Sequence, residues 1–272
     1  MKSDKISIIG LGWVGEKLAY ELQNTGFKNI VGSTTSLEKK KRIEAKNITC
    51  FEYLADQTSI NSENAQLFDA SIIVVTIPPR LRSGNGANYI DEISSLITNI
   101  DKDRLKKIIY TSSTSVYANE SGIYNENGTL EQDNIIREVE KLFLNTFKDK
   151  AYILRLSGLC GPGRNLSNFF IRSGRIPADV SNCVNMVHQD DVVRAIISLI
   201  NKEEIIKEKV FNICADLHPL RRDFYSEAFM AQNKDLPKVE FDINNVRLID
   251  NSLFKSIFDF EYKFKDPLLF TY

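Results

Sequence analysis

The sequence predicts an α/β fold, a doubly wound parallel sheet with helices on both faces. Strand-like apolar runs alternate with helix-like segments from residue 5 onward, which favours a parallel sheet. The run at 69–77, DASIIVVTI, is almost wholly apolar, as a strand buried on both faces should be. The first strand-like run also passes directly into three closely spaced glycines and then into a helix.

Each further element has its own local signal. Residues 5–9 form an apolar, isoleucine-rich run typical of a strand. Ser36 precedes a charged helical segment and is a suitable N-cap. Pro78 and Pro79 end the strand at 69–77, because proline cannot continue the ladder. The other predicted strands are 29–33, 48–53, 107–112, 151–156 and 210–213, and the predicted helices are 16–22, 36–45, 89–100, 129–147, 192–201 and 221–232.

The chain is predicted to have two linked parts. Residues 1–158 carry the regular alternation and form a dinucleotide-binding domain, for the reasons given below. Residues 159–272 form mainly a smaller substrate lobe, with some elements returning to the sheet. A glycine-rich segment, 158–177, is expected to be a loop with short irregular elements. Asp190 and Asp191 are expected to cap the helix at 192–201.

The composition excludes several classes of function. With 35 basic and 36 acidic residues, nothing indicates nucleic acid or an anionic membrane as a partner. No apolar stretch approaches the ~20 residues that cross a bilayer, and no signal peptide is evident. The four cysteines are scattered, which suits a reducing cytoplasm, and no metal site is predicted from two histidines.

The glycine-rich turn is the strongest functional signal in the chain. It is G-x-G-x-x-G, the fingerprint of a Rossmann dinucleotide-binding turn. Gly10 permits the tight turn, Gly12 lets a pyrophosphate approach the backbone, and Gly15 lets the helix pack close to the strand. Trp13 and Val14 complete the predicted cofactor-binding set at the helix start. The alternative is a plain strand–turn–helix connection without a ligand.

The end of the second strand indicates which dinucleotide binds. An NAD site usually has Asp or Glu there, but this chain has Ser33 and Thr34 instead. Their hydroxyls can donate to a 2′-phosphate, and four cations follow at residues 39–42. We therefore expect NADP to be preferred, with NAD as the alternative. The lysine run can equally be the solvated face of a helix.

Hydroxyl side chains cluster at the end of the strand at 107–112. The segment Tyr110 to Tyr117 is YTSSTSVY, and ligands bind outside the carboxyl ends of strands in such sheets. These hydroxyls can bind a substrate carbonyl or a ribose. They can also simply satisfy backbone groups where the strand ends.

Three later segments, with the glycine turn, resemble the extended short-chain dehydrogenase/reductase superfamily, in its NAD-dependent epimerase/dehydratase group. The segment at 111–117, TSSTSVY, resembles the family's S-S-x-x-V-Y, which implies Ser113 as the active-site hydroxyl. The segment at 155–165, RLSGLCGPGRN, is similar to the family's R-x-x-x-x-Y-G-P-G-R-N, with Cys160 in the tyrosine place. The segment at 184–192, VNMVHQDDV, is similar to its I-H-v-x-D-v. Strand ends and the resemblance together place Asp56, Thr76 and Pro78 along the cofactor.

The chain departs from this family in two ways. Its turn lacks the glycine that the family's G-x-x-G-x-x-G would require at Ile9. The catalytic Y-x-x-x-K is missing, since none of the ten tyrosines has lysine four residues on. Aligning Glu140 with the family's helical glutamate puts Gln132 in the tyrosine place and Ile136 in the lysine place. The candidate substitutes are Tyr117, Tyr124 and His188, each of which also has a structural interpretation.

These observations favour an atypical, NADP-preferring oxidoreductase acting on a small metabolite. Nucleotide-sugar epimerisation is not expected, because it depends on the missing pair. The rival is a non-catalytic dinucleotide-binding sensor or scaffold. A third possibility, a dehydrogenase of the phosphogluconate type, requires an all-helical C-terminal half, against which the strand-like 210–213 argues. By the same resemblance, the charged helix at 129–147 can pair with its copy in a homodimer, and its charge is equally consistent with plain exposure to solvent.

Overall fold

The structure, a computed structural model, describes residues 2–54, 64–79, 88–173, 182–235 and 246–272. The chain divides into two compact units, each discontinuous in sequence. The first comprises Met1–Ser112, Gln132–Leu154 and Ile196–Val210; the second comprises Ser113–Glu131, Arg155–Ala195 and Phe211–Tyr272. The division predicted at residue 158 stays a prediction.

Strands and helices alternate along most of the described chain, apart from the short strands Gly122–Tyr124 and Gly158–Cys160, each of which directly follows another strand. The strands are β1 (Ile6–Ile9), β2 (Ile30–Thr34), β3 (Thr49–Glu52), β4 (Ile72–Val75), β5 (Lys107–Ser113), β6 (Gly122–Tyr124), β7 (Ala151–Leu156), β8 (Gly158–Cys160), β9 (Met186–His188), β10 (Val210–Ile213) and β11 (Arg247–Ile249). The helices are α1 (Trp13–Asn24), α2 (Leu37–Glu44), α3 (Tyr89–Thr98), α4 (Ile135–Phe147), α5 (Ser167–Ser173), α6 (Gln189–Asn201), α7 (Arg221–Met230) and α8 (Ser252–Phe258). None of the helices in the described ranges has the length and apolar character that a bilayer crossing requires.

One seven-stranded sheet organises the fold, in the order β10-β7-β5-β4-β1-β2-β3. The pairs from β3 through β5 are parallel, and Ile8 of β1 lies between Gly32 of β2 and Val74 of β4. All residues of β1 and β4 are buried, as expected of strands covered on both faces. The order 3-2-1-4-5 followed by two further strands is that of a Rossmann sheet. The predicted α/β fold class is therefore confirmed.

The helices of the first unit bury one apolar face each. In α4 the buried apolar positions recur at helical spacing: Ile136, Val139, Phe143 and Phe147. The ring of Phe143 stacks on that of Tyr110 in β5, with 4.8 Å between ring centroids. Burial of this face holds α4 on the sheet.

Short elements account for the differences from the sequence-based assignment. The predicted loop at 158–177 contains β8, which pairs with β9, and also α5. A three-residue strand is too short to show a period, so neither β8 nor β9 was predicted.

The start of α6 corrects a second expectation. The helix begins at Gln189, so Asp190 and Asp191 lie in its first turn instead of preceding it. The fully buried carboxylate of Asp191 accepts hydrogen bonds from the backbone N–H groups of Lys263 and Phe264, both at 2.8 Å. Asp191 thus fixes the C-terminal segment of the second unit.

Lys107, at the start of β5, is a buried cation in the first unit. Its ammonium donates to the carbonyl oxygens of Leu199 at 2.5 Å and Lys202 at 2.7 Å, at the end of α6. Burial, together with the nearby ammonium of Lys209, lowers the pKa of Lys107 to about 8. The charged form is therefore less favourable in the folded than in the unfolded chain.

This depressed pKa predicts a pH-dependent stability. Between about pH 8 and the ordinary value of 10.5, the unfolded chain binds more protons at Lys107 than the folded chain. The free energy of unfolding of the wild type should therefore rise across this interval relative to Lys107→Met, by roughly 1 to 3 kcal/mol. Urea unfolding of both proteins across the interval measures this. If the difference in the free energy of unfolding between the two proteins stayed constant across this interval, that would contradict the lowered pKa of Lys107.

Candidate functional site

The turn after β1 is held by Ser33 of β2. Gly10 has a φ of +105°, a conformation that glycine adopts without strain. Its N–H donates to Ser33 Oγ at 3.0 Å, and the N–H of Leu11 donates to the Ser33 carbonyl oxygen at 2.5 Å. The N–H of Gly12 donates to the Gly10 carbonyl oxygen at 2.7 Å. Ser33 thus stabilises the turn as well as lying at the end of β2.

Gly15 and Thr76 meet beneath this turn. A Cβ on Gly15 would overlap the Gly10 carbonyl oxygen and lie 2.9 Å from Thr76 Oγ1. The Thr76 hydroxyl donates to the same Gly10 carbonyl at 2.5 Å. The sequence predicted Thr76 as a cofactor contact, and that stays a prediction. In the structure its side chain stabilises the glycine turn.

The N-terminus of α1 is open to an anion. Gly12 is its N-cap and provides no side-chain cap, and a Cβ built on Gly12 comes no closer than 4.0 Å to any atom outside its immediate neighbours. The helix then begins with Trp13, Val14 and Gly15. The first N–H groups of a helix have no partners within it, and the dipole favours negative charge there. The turn therefore has the features of a phosphate site.

A cleft of about 230 Å³ lies beside the turn in the first unit. It brings together most of the predicted cofactor residues, namely Gly10, Gly12, Ser33, Thr34, Thr76 and Pro78. Complete ligand pockets occupy roughly 300–1,000 Å³. The described cleft is therefore smaller than a complete ligand pocket. Asp56, also predicted here, lies outside the described residues.

Two hydroxyl groups after Ser33 at the end of β2, those of Thr34 and Ser36, each accept one backbone hydrogen bond. Thr34 Oγ1 accepts from the N–H of Ser36 at 3.3 Å, and Ser36 Oγ accepts from the N–H of Lys39 at 3.3 Å. The second contact confirms Ser36 as the N-cap of α2. A hydroxyl that accepts one bond still has its own proton to donate. This edge of the cleft can thus donate to an anionic ligand.

Of the four cations at 39–42, Lys39 is the one that lines the described cleft. Its ammonium donates to the Leu11 carbonyl oxygen at 3.2 Å and lies 3.7 Å from Glu16 Oε2. Arg42 instead makes two bonds to the Glu16 carboxylate, at 2.8 and 2.7 Å. Lys40 pairs with Glu44 at 3.0 Å. The lysine run is therefore largely the charged face of α2, with one member turned to the cleft.

Several lining residues were missed by the sequence analysis. Tyr53, Leu54 and Ile77 give the cleft apolar walls, and Glu92 contributes a carboxylate from the first turn of α3. Tyr53 and Leu54 follow β3, where a strand-end argument could have found them. For Glu92 the sequence offers no signal, because a single acid in an amphipathic helix is normally solvated.

Ser113, the predicted catalytic residue, ends β5 and belongs to the second unit. Its hydroxyl accepts a hydrogen bond from the N–H of Ser115 at 3.1 Å and caps a short 3₁₀ turn, Thr114–Val116. The side chain is partly exposed. Its hydroxyl proton remains available as a donor, which is what binding a carbonyl oxygen requires.

Tyr117, the first candidate substitute acid, is part of a buried network. Its hydroxyl donates to Asn212 Oδ1 at 2.8 Å and accepts from Arg155 Nη1 at 2.9 Å. Asn212 in turn donates to the carbonyl oxygens of Tyr124 and Asp250. Burial raises the pKa of Tyr117, with Arg155 acting in the opposite direction. The contacts indicate a structural role.

The other two candidates are also engaged within the second unit. The Tyr124 hydroxyl donates to the Glu120 carbonyl oxygen at 3.3 Å. His188 is 1% exposed, its Nδ1 accepts from the N–H of Asp190 at 3.2 Å, and its ring stacks on Phe264. Burial lowers the pKa of His188, so the neutral form is favoured.

The positions aligned with the missing pair supply no substitute either. Ile136 is buried in α4, and Gln132 lies exposed before that helix. Neither side chain titrates near neutral pH.

The fold and the glycine turn place the chain among proteins with the epimerase/dehydratase fold. UDP-glucuronic acid 4-epimerase from Bacillus cereus, solved with NAD, superposes with a TM-score of 0.76 at 18% identity, covering 97% of this chain and 94% of that one. The dTDP-glucose 4,6-dehydratase of Bacillus anthracis, also solved with NAD, gives 0.75 at 17% identity with the same coverage. At these identities the likeness concerns the fold, and it confirms the resemblance at that level.

Sequence similarity defines the family more narrowly. Protein YeeZ of Escherichia coli K12 is 33% identical over 280 aligned positions, which cover 97% of this chain and 98% of YeeZ. The chain therefore belongs to the YeeZ family. No family model matches the sequence.

The packing beneath the turn predicts different outcomes for two glycine substitutions. Gly15→Ala should lower the free energy of unfolding by at least about 1 kcal/mol, because the added methyl overlaps backbone that cannot move freely. Gly12→Ala, the matched control, has room for its methyl and should lose less than about 1 kcal/mol, the cost of a poorer N-cap. Denaturant unfolding of the three proteins measures both. Equal stability of Gly15→Ala and wild type would contradict the packing.

Proposed function

We propose that this chain binds NADP in the cleft beside Gly10 and Gly12 and is an oxidoreductase acting on a small metabolite. The observation that carries the proposal is the joining of three features in one cleft. These are an uncapped helix N-terminus, a row of hydroxyls at the end of β2, and the ammonium of Lys39. The fold neighbours solved with NAD support a nicotinamide dinucleotide in general.

The residues present fit such a cofactor. The first turn of α1 would hold the pyrophosphate, since Gly12 leaves space for it. The dinucleotide would supply hydride transfer, and this chain's residues would bind and orient it. Ser113 would bind the substrate oxygen through its hydroxyl. That role rests on its strand-end position and on the resemblance.

The preference for NADP follows from charge. At the end of β2, Ser33 to Ser36 contain no carboxylate that would repel a 2′-phosphate. Lys39 lines the same part of the cleft, where a phosphate would gain a charge-assisted hydrogen bond. NAD lacks that phosphate and gains nothing from Lys39. It can still bind through the glycine turn.

The preference for NADP over NAD is tested by replacing, one at a time, two lysines of α2. Lys39→Ala should weaken NADPH binding about tenfold, or ~1.4 kcal/mol, because one charge-assisted contact is lost. NADH affinity should change less than about twofold. Lys41→Ala is the control, since Lys41 is exposed on α2 and does not line the cleft. Titrations followed by nicotinamide fluorescence measure the six affinities, those of the wild type and both variants for NADPH and NADH.

If Lys39→Ala lost equal affinity for NADPH and NADH, that would contradict a contact between Lys39 and the 2′-phosphate. Binding of NADH alone by the wild type would overturn the NADP preference. A folded protein that bound neither would overturn the proposed function.

The second candidate function is a sensor or scaffold that uses the dinucleotide only as a ligand. Three observations favour it: the pair Y-x-x-x-K is missing, Tyr117 and Tyr124 are engaged in hydrogen bonds, and burial lowers the pKa of His188. The partly exposed hydroxyl of Ser113 favours an enzyme.

Turnover distinguishes these two functions. We expect a panel of small carbonyl compounds to include one whose reduction consumes NADPH. Ser113→Ala should lower that rate by at least about tenfold at unchanged NADPH affinity, as loss of a hydroxyl that contacts the reacting oxygen would. Ser115→Ala, two residues on, is the control. Saturable binding with no turnover across the panel would favour the sensor.

A further inference from the structure

A short 3₁₀ turn, Thr114–Val116, connects Ser113 to Tyr117 in the second unit. Ser113 caps its N-terminal end, where the Ser113 Oγ accepts a hydrogen bond from the Ser115 N–H at 3.1 Å. Tyr117 caps its C-terminal end and donates its N–H to the Thr114 carbonyl oxygen at 3.3 Å. Because a single turn joins the two caps, the position of Ser113 depends on the position of Tyr117.

The phenol of Tyr117 is held by two buried polar side chains. Its hydroxyl donates to Asn212 Oδ1 at 2.8 Å and accepts from Arg155 Nη1 at 2.9 Å. The guanidinium of Arg155 also lies over the Tyr117 ring, with 4.9 Å between its Cζ and the ring centroid. All three residues, which we call the Tyr117 network, are no more than 3% exposed. Loss of the phenol oxygen would therefore leave buried polar groups without their partner.

Glu126 connects the two partners of the Tyr117 hydroxyl. Its Oε1 accepts a hydrogen bond from the Asn212 N–H at 2.8 Å, and its carbonyl oxygen accepts one from Arg155 Nη1 at 3.2 Å. Asn212 Nδ2 also donates to the carbonyl oxygens of Tyr124 and Asp250, at 3.2 and 3.0 Å. With these additional bonds, Arg155 and Asn212 provide fixed positions for the phenol.

Tyr124 packs beside Tyr117 but directs its hydroxyl elsewhere. The centroids of the two rings lie 5.3 Å apart, and both side chains are buried. The Tyr124 hydroxyl donates to the Glu120 carbonyl oxygen at 3.3 Å, outside the Tyr117 network. The two tyrosines therefore have similar packing and differ in the hydrogen bonds of their hydroxyl groups, so Tyr124 serves as a matched control.

We propose that Tyr117 is a positioning residue for Ser113, and that its phenol places the Ser113 hydroxyl against the substrate oxygen by fixing the opposite end of the 3₁₀ turn. This inference rests on the proposed function, in which Ser113 binds that oxygen. Tyr117 itself transfers no proton and affects the reaction only through Ser113. A displacement of about 1 Å can cost on the order of 10²-fold in rate, so a small shift of the turn is sufficient.

The first test removes the Tyr117 hydroxyl and keeps the ring. In Tyr117→Phe, hydrogen exchange of the Ser115 N–H, which is bonded to Ser113 Oγ, should become about fivefold faster, because a buried hydrogen bond is lost. For the carbonyl compound that the wild type reduces, kcat should fall roughly fivefold and the affinity for NADPH should change less than about twofold. Tyr124→Phe should leave exchange at Ser115 and kcat unchanged. Exchange followed by NMR and steady-state kinetics measure these quantities.

A double-variant comparison separates positioning from a general loss of structure. In the Ser113→Ala background, Tyr117→Phe should lower kcat less than about twofold, because the hydroxyl that Tyr117 positions is already absent. A purely structural role, or a role of the phenol as proton donor, would instead lower kcat by the same factor with and without the Ser113 hydroxyl. Equal factors in the two backgrounds would therefore overturn the proposal.

The remaining outcomes distinguish this inference from the proposed function. If the wild type is active and Tyr117→Phe changes neither kcat nor exchange at Ser115, the positioning role is overturned and the proposed function stands. A folded wild type that binds NADPH but reduces no compound would overturn the proposed oxidoreductase and this inference with it. If Tyr117→Phe does not fold, Glu126→Ala takes its place, since it removes the acceptor of the Asn212 N–H at a partly buried residue. Unchanged exchange at Ser115 in that variant would also overturn the positioning role.

Discussion

The close approach of α1 to the end of β1 is the constraint on which the site depends. Gly15 has no space for a Cβ above the Gly10 carbonyl oxygen, and Thr76 from β4 donates to that same oxygen. Ser33 of β2 binds the turn from the other side through its hydroxyl and its carbonyl. Three neighbouring strands therefore determine where the first N–H groups of α1 point. A looser turn would leave those groups without a fixed position for a phosphate.

Ion pairs on α1 and α2 determine which cationic side chain of α2 lies at the cleft. Glu16 binds Arg42 through both carboxylate oxygens, a geometry that gives Arg42 a fixed partner. Lys39 is farther from Glu16 and is held mainly by the carbonyl of Leu11, within the glycine turn itself. One ammonium thus remains directed at the cleft. Glu92 contributes a carboxylate to the lining of the same cleft from the first turn of α3.

The sequence predicted those parts of the site that depend on local patterns. The glycine spacing located the turn, the end of β2 located Ser33 and Thr34, and the strand at 69–77 located Thr76 and Pro78. Contacts distant in sequence could not be predicted in this way. Gly32 is one example, because a Cβ there would lie 2.6 Å from Leu11 Cδ1, twenty-one residues earlier in the chain. The approach of Glu92 to the cleft likewise depends on how α3 packs, which no local spacing reveals.

Under the proposed function, the missing tyrosine–lysine pair lowers the expected rate of hydride transfer more than it excludes the reaction. Of the three candidate replacements, Tyr117 and Tyr124 are engaged in hydrogen bonds, and burial lowers the pKa of His188. General acid–base catalysis contributes roughly 10²–10⁴-fold. Holding two reactants in a productive geometry contributes effective molarities of about 10⁵–10⁸ M. Binding and orientation can therefore account for a larger part of the rate enhancement than acid–base catalysis. Under the proposed function, a chain with this glycine turn and the Ser113 hydroxyl would therefore transfer hydride slowly, with water supplying the proton to the product oxygen. Hydride transfer without a protein acid suits substrates whose product oxygen takes up a proton readily from water. It disfavours sugar epimerisation, in which a base must remove a proton from an unactivated hydroxyl.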